Sequence, residues 1–132
     1  GLPTVQDISG LVESARLAEA RVSYETIGEL PNLSPAVELT LYRVAQEALT
    51  NAAKHAGPTA SVAVRLRSRK DSVELEVSDD GFGMRRNIPG TGTGLTGMRE
   101  RVTALGGSLE AGSKPRGGFR VRAEIPTAGA TA

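Results

Sequence analysis

Ser72-Val73-Glu74-Leu75-Glu76-Val77-Ser78-Asp79-Asp80-Gly81-Phe82-Gly83 reads as a strand that runs without a break into a glycine turn. Val73, Leu75 and Val77 alternate with Glu74, Glu76 and Ser78, the period of two that gives a strand one buried and one wet face. Upstream, across a polar turn, Val62, Val64 and Leu66 alternate with Ser61, Ala63, Arg65 and Arg67. The two segments therefore form an antiparallel hairpin with a single apolar face.

Working outward, Ser34-Pro35 is an N-cap followed by proline in the first helical position, and Gly57-Pro58 is the matching stop, with Lys54 and His55 in the last turn. A helix of about six turns fits between them. Ile8, Leu11, Val12, Ala15 and Ala18 recur at helical spacing and predict an earlier helix from Asp7 to Ala20, with a short strand over Arg21 to Ile27. Beyond the glycine turn, Asn87, Pro89, Gly90 and Gly92 make a loop. Leu95, Met98, Val102 and Leu105 then share a helix face that Gly106-Gly107 closes. Ser108 to Ala111 and Phe119 to Ile125 form two last strands around Lys114-Pro115-Arg116-Gly117-Gly118. The order predicts an α+β fold, a two-layer sandwich in which helices cover one face of a mixed sheet. One domain is expected over residues 1–126, with an N-terminal helix and strand in 1–33, a core in 34–126 and a disordered tail in 127–132.

Composition narrows the partners. With 39% apolar and 23% charged residues the chain is an ordinary globular one, and with two Phe, two Tyr and no Trp its core must be aliphatic. A net charge of +1 argues for neither nucleic acid nor membrane contact by this segment. Without cysteine there is no disulfide and no thiolate ligand, which fits the cytoplasm, and a single histidine excludes a multi-histidine metal site. Gly1 in place of Met suggests a segment of a longer protein whose anchor or sensor, if it has one, lies elsewhere.

Along the long helix, Val37, Leu41, Val44, Ala48 and Ala52 form an apolar stripe, while Glu47, Asn51 and Lys54 line one edge of it and His55 falls on it. These polar groups either line a semi-buried cavity or are a solvated face with cationic residues at the helix end. Asp79-x-Gly81-x-Gly83 places a carboxylate at the sheet edge next to backbone that a ligand can approach closely. A carboxylate only accepts hydrogen bonds, which suits an exocyclic amine such as that of adenine. Gly92-Thr93-Gly94-Leu95 opens a helix whose free N–H groups and positive dipole end suit phosphate oxygens. Each cluster is a weak signal alone, but the ordered set is a strong one.

Three stretches resemble the nucleotide-binding boxes of the histidine kinase catalytic domain, within the ATPase group that includes gyrase, Hsp90 and MutL. They are Tyr42-Arg43-Val44-Ala45-Gln46-Glu47-Ala48-Leu49-Thr50-Asn51-Ala52-Ala53-Lys54-His55-Ala56, Ser78 to Met84, and Gly94-Leu95-Thr96-Gly97-Met98-Arg99-Glu100-Arg101-Val102. Their wording is similar to that of the kinases that partner NarL-type response regulators. The resemblance implies a Bergerat-type ATP-binding fold, ATP and Mg²⁺, transfer of the γ-phosphoryl to a histidine on a separate dimerisation domain, and relay to a response regulator. It implies that Asn51 holds Mg²⁺ and that Glu47 orients a water or polarises the acceptor imidazole. Lys54 and His55 would meet phosphates, Asp79 would read adenine over a floor of Gly81 and Gly83, and Gly92, Thr93, Gly94 and Leu95 would cradle phosphates.

Two departures stand out. Eight residues separate Gly83 from Gly92, a short lid. Relatives often carry threonine after the glycine run near the last strand, whereas here Gly117-Gly118 leads to Phe119, which puts a hydroxyl contact in doubt. An anti-sigma serine kinase and a nucleotide-binding module without catalysis are the alternatives. The Gly97 to Arg101 wording disfavours the first, and the intact Glu47, Asn51, Asp79 and paired glycines disfavour the second.

Overall fold

The computed structural model describes residues 1–81 and 94–127, with the side chain of Leu95 excepted. A 3₁₀ turn at Val5–Asp7 leads into α1 (Ile8–Leu17), β1 (Arg21–Ile27), α2 (Pro35–His55), β2 (Ser61–Ser68), β3 (Ser72–Asp79), α3 (Gly94–Ala104), β4 (Ser108–Ser113) and β5 (Phe119–Pro126). The strands form one five-stranded sheet in the order β1-β2-β3-β5-β4. β1 pairs with β2 in parallel and all other pairs are antiparallel. A parallel neighbour needs a crossover, and α2 is that crossover. The expected mixed sheet under helices is the fold observed.

Strand parity sets the layers. Val62, Val64 and Leu66 of β2, Val73, Leu75 and Val77 of β3, and Phe119, Val121, Ala123 and Ile125 of β5 are buried on the face that α1, α2 and α3 cover. The helices contribute Ile8, Val12, Val37, Leu41, Val44, Ala48, Met98 and Val102 to the same core. The other face carries charge: Glu76 lies within ion-pair range of Arg65, Arg120 and Arg122, and Glu74 within range of Arg67, Arg69 and Arg122. Glu74 is buried although it points away from the helices, because the arginine stems cover it.

Both ends of α2 follow the sequence. Ser34 Oγ accepts from Val37 N at 3.2 Å with Pro35 in the first turn, and Ala56 N donates to Ala52 O at 2.9 Å to close the other end. No described helix is long and apolar enough to cross a membrane. Thr127 N donates to Asp71 O at 2.8 Å, tying the end of β5 to the β2–β3 turn.

The first helix ends earlier than its apolar spacing predicts, at Leu17 rather than Ala20. Glu19 adopts a left-handed conformation (φ 68°), Glu19 N donates to Arg16 O and Ala20 N donates to Ala15 O, the pair of bonds that makes a Schellman close. α3 ends with the same motif on Gly106 (φ 83°), with Gly106 N donating to Thr103 O and Gly107 N to Val102 O. Left-handed backbone costs a residue with a Cβ about 1–2 kcal/mol, part of which glycine returns through a freer unfolded chain. Glu19→Gly should therefore raise unfolding free energy by about 0.5–1 kcal/mol, read from urea titrations at an unchanged slope.

Candidate functional site

The site is assembled where β3 ends. Asp79 is the last residue of that strand, opposite Val62 of β2 and Phe119 of β5, and it is 4% exposed. A buried carboxylate in a small domain is informative because desolvating it costs free energy unless a function or a partner offsets the loss. Its Oδ1 accepts from Gly81 N at 3.0 Å, a local turn that orients the carboxylate. Asp80, of opposite parity, turns to the neighbouring strand: its Oδ1 accepts from Ser61 N at 2.7 Å, and its own N donates to Ser61 O at 3.2 Å. This reciprocal pair anchors the strand end, and the sequence offers nothing that tells it apart from a solvated acidic residue.

Glycine lets the neighbouring elements close in. A Cβ on Gly81 would overlap the carbonyl oxygen of Ala56 and stand 2.7 Å from its Cα, so the end of β3 rests directly on the cap of α2. A Cβ on Gly118 would overlap the backbone carbonyl oxygen of Asp79, so the turn before β5 closes on the same residue from the other side. Gly117 and Gly118 both have positive φ in a turn closed by Lys114 N to Gly118 O. The ring of Phe119, which follows this turn, is buried in the core cluster.

On α2, Glu47 and Asn51 lie four residues apart, one turn of the same face, and both are half-buried. Neither side chain has a hydrogen bond or ion pair among the described residues. Lys54 is exposed and His55 half-buried in the last turn, beside the Ala56 backbone that Gly81 touches. Gly94, the first residue of α3, packs on the Glu47 carboxylate, whose atoms are the nearest to the space a Cβ would occupy. The start of α3 and the polar edge of α2 thus meet directly, and Met98 and Val102 hold the rest of α3 in the core. Of the residues singled out in the sequence, the structure brings Asp79 to Gly81 and Glu47 to Gly94. Gly83, Gly92 and Thr93, with the short lid between them, lie outside the described residues, as does the side chain of Leu95.

Residues 36–129 match the model of the histidine kinase-, DNA gyrase B- and HSP90-like ATPases. The chain belongs to that family. It is a catalytic ATPase domain of the histidine kinase kind, and its similarities run to sensor kinases. Over 77 residues, 58% of this chain, it is 46% identical to the histidine-protein kinase/phosphatase UhpB of Salmonella typhimurium, covering 15% of that protein. It is 37% identical over 107 residues, 80% of the chain, to the oxygen sensor histidine kinase NreB of Staphylococcus carnosus, covering 30% of it. The chain therefore spans less than a third of these relatives. The catalytic domain of histidine kinase ThkA superposes with a TM-score of 0.71 at 18% identity over 93% of this chain and 89% of that one. The mycobacterial sensor kinase MprB gives 0.69 at 22% identity over 92% and 93%. Those likenesses speak to the fold. The serine kinase alternative is not favoured by relatives that are named histidine kinases.

Because the Gly81 contact is with backbone, the ATPase domain cannot absorb a methyl there by a rotamer change. Gly81→Ala should cost about 1–3 kcal/mol of stability through overpacking and weaken ATP binding in step as Asp79 is displaced. Paired urea unfolding and calorimetric ATP titration measure both, and the companion change Gly10→Ala in α1, where a Cβ meets nothing within 4 Å, should leave ATP binding unchanged and raise stability by about 0.5–1 kcal/mol through helix propensity.

Proposed function

We propose that this domain binds ATP with the Asp79 carboxylate against the adenine amine and the start of α3 toward the phosphates. In this reading it serves transfer of the γ-phosphoryl to a histidine on a separate dimerisation and phosphoacceptor domain. An aspartate of a response regulator then receives it, and the Gly94 to Val102 wording favours a regulator of the NarL type. We place the domain in the cytoplasm because that is where ATP is supplied. The observation that carries the reading is the burial of Asp79 at the strand end, cupped between the Gly81 turn and the Gly118 backbone.

Lys54 and His55, at the end of α2, are assigned to the phosphate side, with Gly81 as part of the adenine floor. In the transfer, an imidazole nitrogen of the acceptor attacks the γ-phosphorus and the bond to the ADP oxygen breaks. Glu47 accepts a hydrogen bond from the other ring N–H and so makes the imidazole a better nucleophile. The Asn51 amide oxygen, one turn from Glu47 and without a described protein partner, fits Mg²⁺, which keeps waters and needs only one or two protein oxygens beside phosphates. Bound there, Mg²⁺ supplies charge neutralisation on the phosphates.

Guanine has a carbonyl where adenine has its amine, so a carboxylate that reads the base should reject GTP. Asp79→Ala removes a charge-assisted hydrogen bond of about 1.5–3 kcal/mol, roughly 10- to 150-fold in ATP affinity. It should narrow the gap between ATP and GTP, chiefly by weakening ATP. Calorimetric titration of both nucleotides, with circular dichroism to verify folding, is the measurement. An unaltered ATP affinity and an unaltered ATP-to-GTP ratio in a folded variant would remove Asp79 from the site.

A further inference from the structure

We infer that Gly94 is a positioning residue for Glu47: the side chain missing from the first turn of α3 leaves the seat in which the Glu47 carboxylate rests. This rests on the reading of Glu47 as the group that polarises the acceptor. A Cβ built on Gly94 would overlap Oε2 and Cδ of Glu47 and lie 3.0 Å from Oε1, and no other residue supplies any of its three nearest atoms. Gly94 does not have positive φ, unlike Gly106 or Gly118, so nothing in its own backbone calls for glycine.

The contact is of a particular kind. At Gly81 the obstacle is the Ala56 backbone, whereas at Gly94 it is the far end of a flexible side chain. Glu47 is rooted on a rigid stretch of α2, between Val44 and Ala48, both buried to within 2% exposure. A methyl on Gly94 therefore leaves both helices in place and swings the carboxylate out of its seat.

A glycine kept only so that phosphates can approach predicts a different outcome. In that case Gly94→Ala weakens ATP binding and no change at Glu47 repairs it. The seat predicts that, with ATP saturating, Gly94→Ala lowers phosphotransfer about 10²-fold, the lower end of the range for a general acid–base group, a loss larger than any it causes in ATP affinity. It also predicts that Glu47→Asp, one methylene shorter, restores transfer in the Gly94→Ala background although it impairs transfer alone, a non-additive cycle.

The four proteins (parent, Gly94→Ala, Glu47→Asp and the double variant) are titrated with ATP and Mg²⁺ and assayed with the dimerisation and phosphoacceptor domain supplied alongside. Thermal midpoints verify folding, and Gly94→Ala should not lower its own. Loss of ATP affinity in parallel with transfer, or additive losses in the double variant, overturns the seat. A fifth protein, Glu47→Gln, separates the two levels. If it transfers normally, the reading of Glu47 fails and the seat with it. If it is inactive while Gly94→Ala transfers normally, the seat alone fails.

Discussion

Burial of Val37, Leu41, Val44, Ala48 and Ala52 against β3 and β5 fixes α2 in rotation as well as position, and the geometry of the site descends from that contact. A helix that presents one stripe to a sheet has no freedom left in where its flanking residues point. Glu47 and Asn51 sit on the border of the stripe, so packing alone holds them half out of the core. Any change that let α2 roll by one residue, about 100°, would bury the carboxylate or release it to solvent. The hydrophobic contact thus does the orienting that in a looser fold would need dedicated hydrogen bonds.

Small residues make the closeness possible. Ala45, Ala48, Ala52 and Ala56 line the buried side of α2, and Gly81 meets the last of them at backbone distance. With only two Phe, two Tyr and no Trp in the chain, the layers are spaced by aliphatic side chains of modest size. Such packing leaves little slack, since interiors are as dense as organic crystals and a single methyl is felt. The same density that stabilises the sandwich therefore specifies the positions of Asp79 and Glu47.

Much of this was legible in the chain because the relevant physics is local. The alternation in 61–67 and 73–78 gave β2 and β3, Ser34-Pro35 gave the start of α2, and Gly106-Gly107 gave the end of α3. The end of α1 was not legible, although it uses the same hydrogen bonds as the end of α3, because Glu19 stands where glycine would have announced the turn. Two further features are tertiary and left no local trace. The parallel pairing of β1 with β2 depends on where α2 returns the chain, and the burial of Glu74 depends on arginines from β2, the β2–β3 turn and β5 closing over it. At the site, the residue types in the three boxes could be read directly, but not the contact between them. Gly94 read as a phosphate cradle, and only the packing of α3 on α2 places the Glu47 carboxylate against it.

Parity links the fold to the chemistry at one more point. Asp79 is in phase with Val73, Leu75 and Val77, so the register that buries those three also delivers its carboxylate to the helix side of the sheet, next to the end of α2. Asp80 is out of phase and goes to Ser61 instead. A slip of one residue would exchange the two aspartates, and it would also turn Glu74 and Glu76 toward the core and Val73, Leu75 and Val77 toward Arg65, Arg67, Arg120 and Arg122. The charged face therefore acts on the site from the opposite side of the sheet. Its ion pairs are long and individually modest, with arginines half in solvent, but the incompatibility of these charges with the apolar core excludes the alternative register. Asp79 owes its place to the apolar residues in phase with it and to the arginines on the opposite face of the sheet.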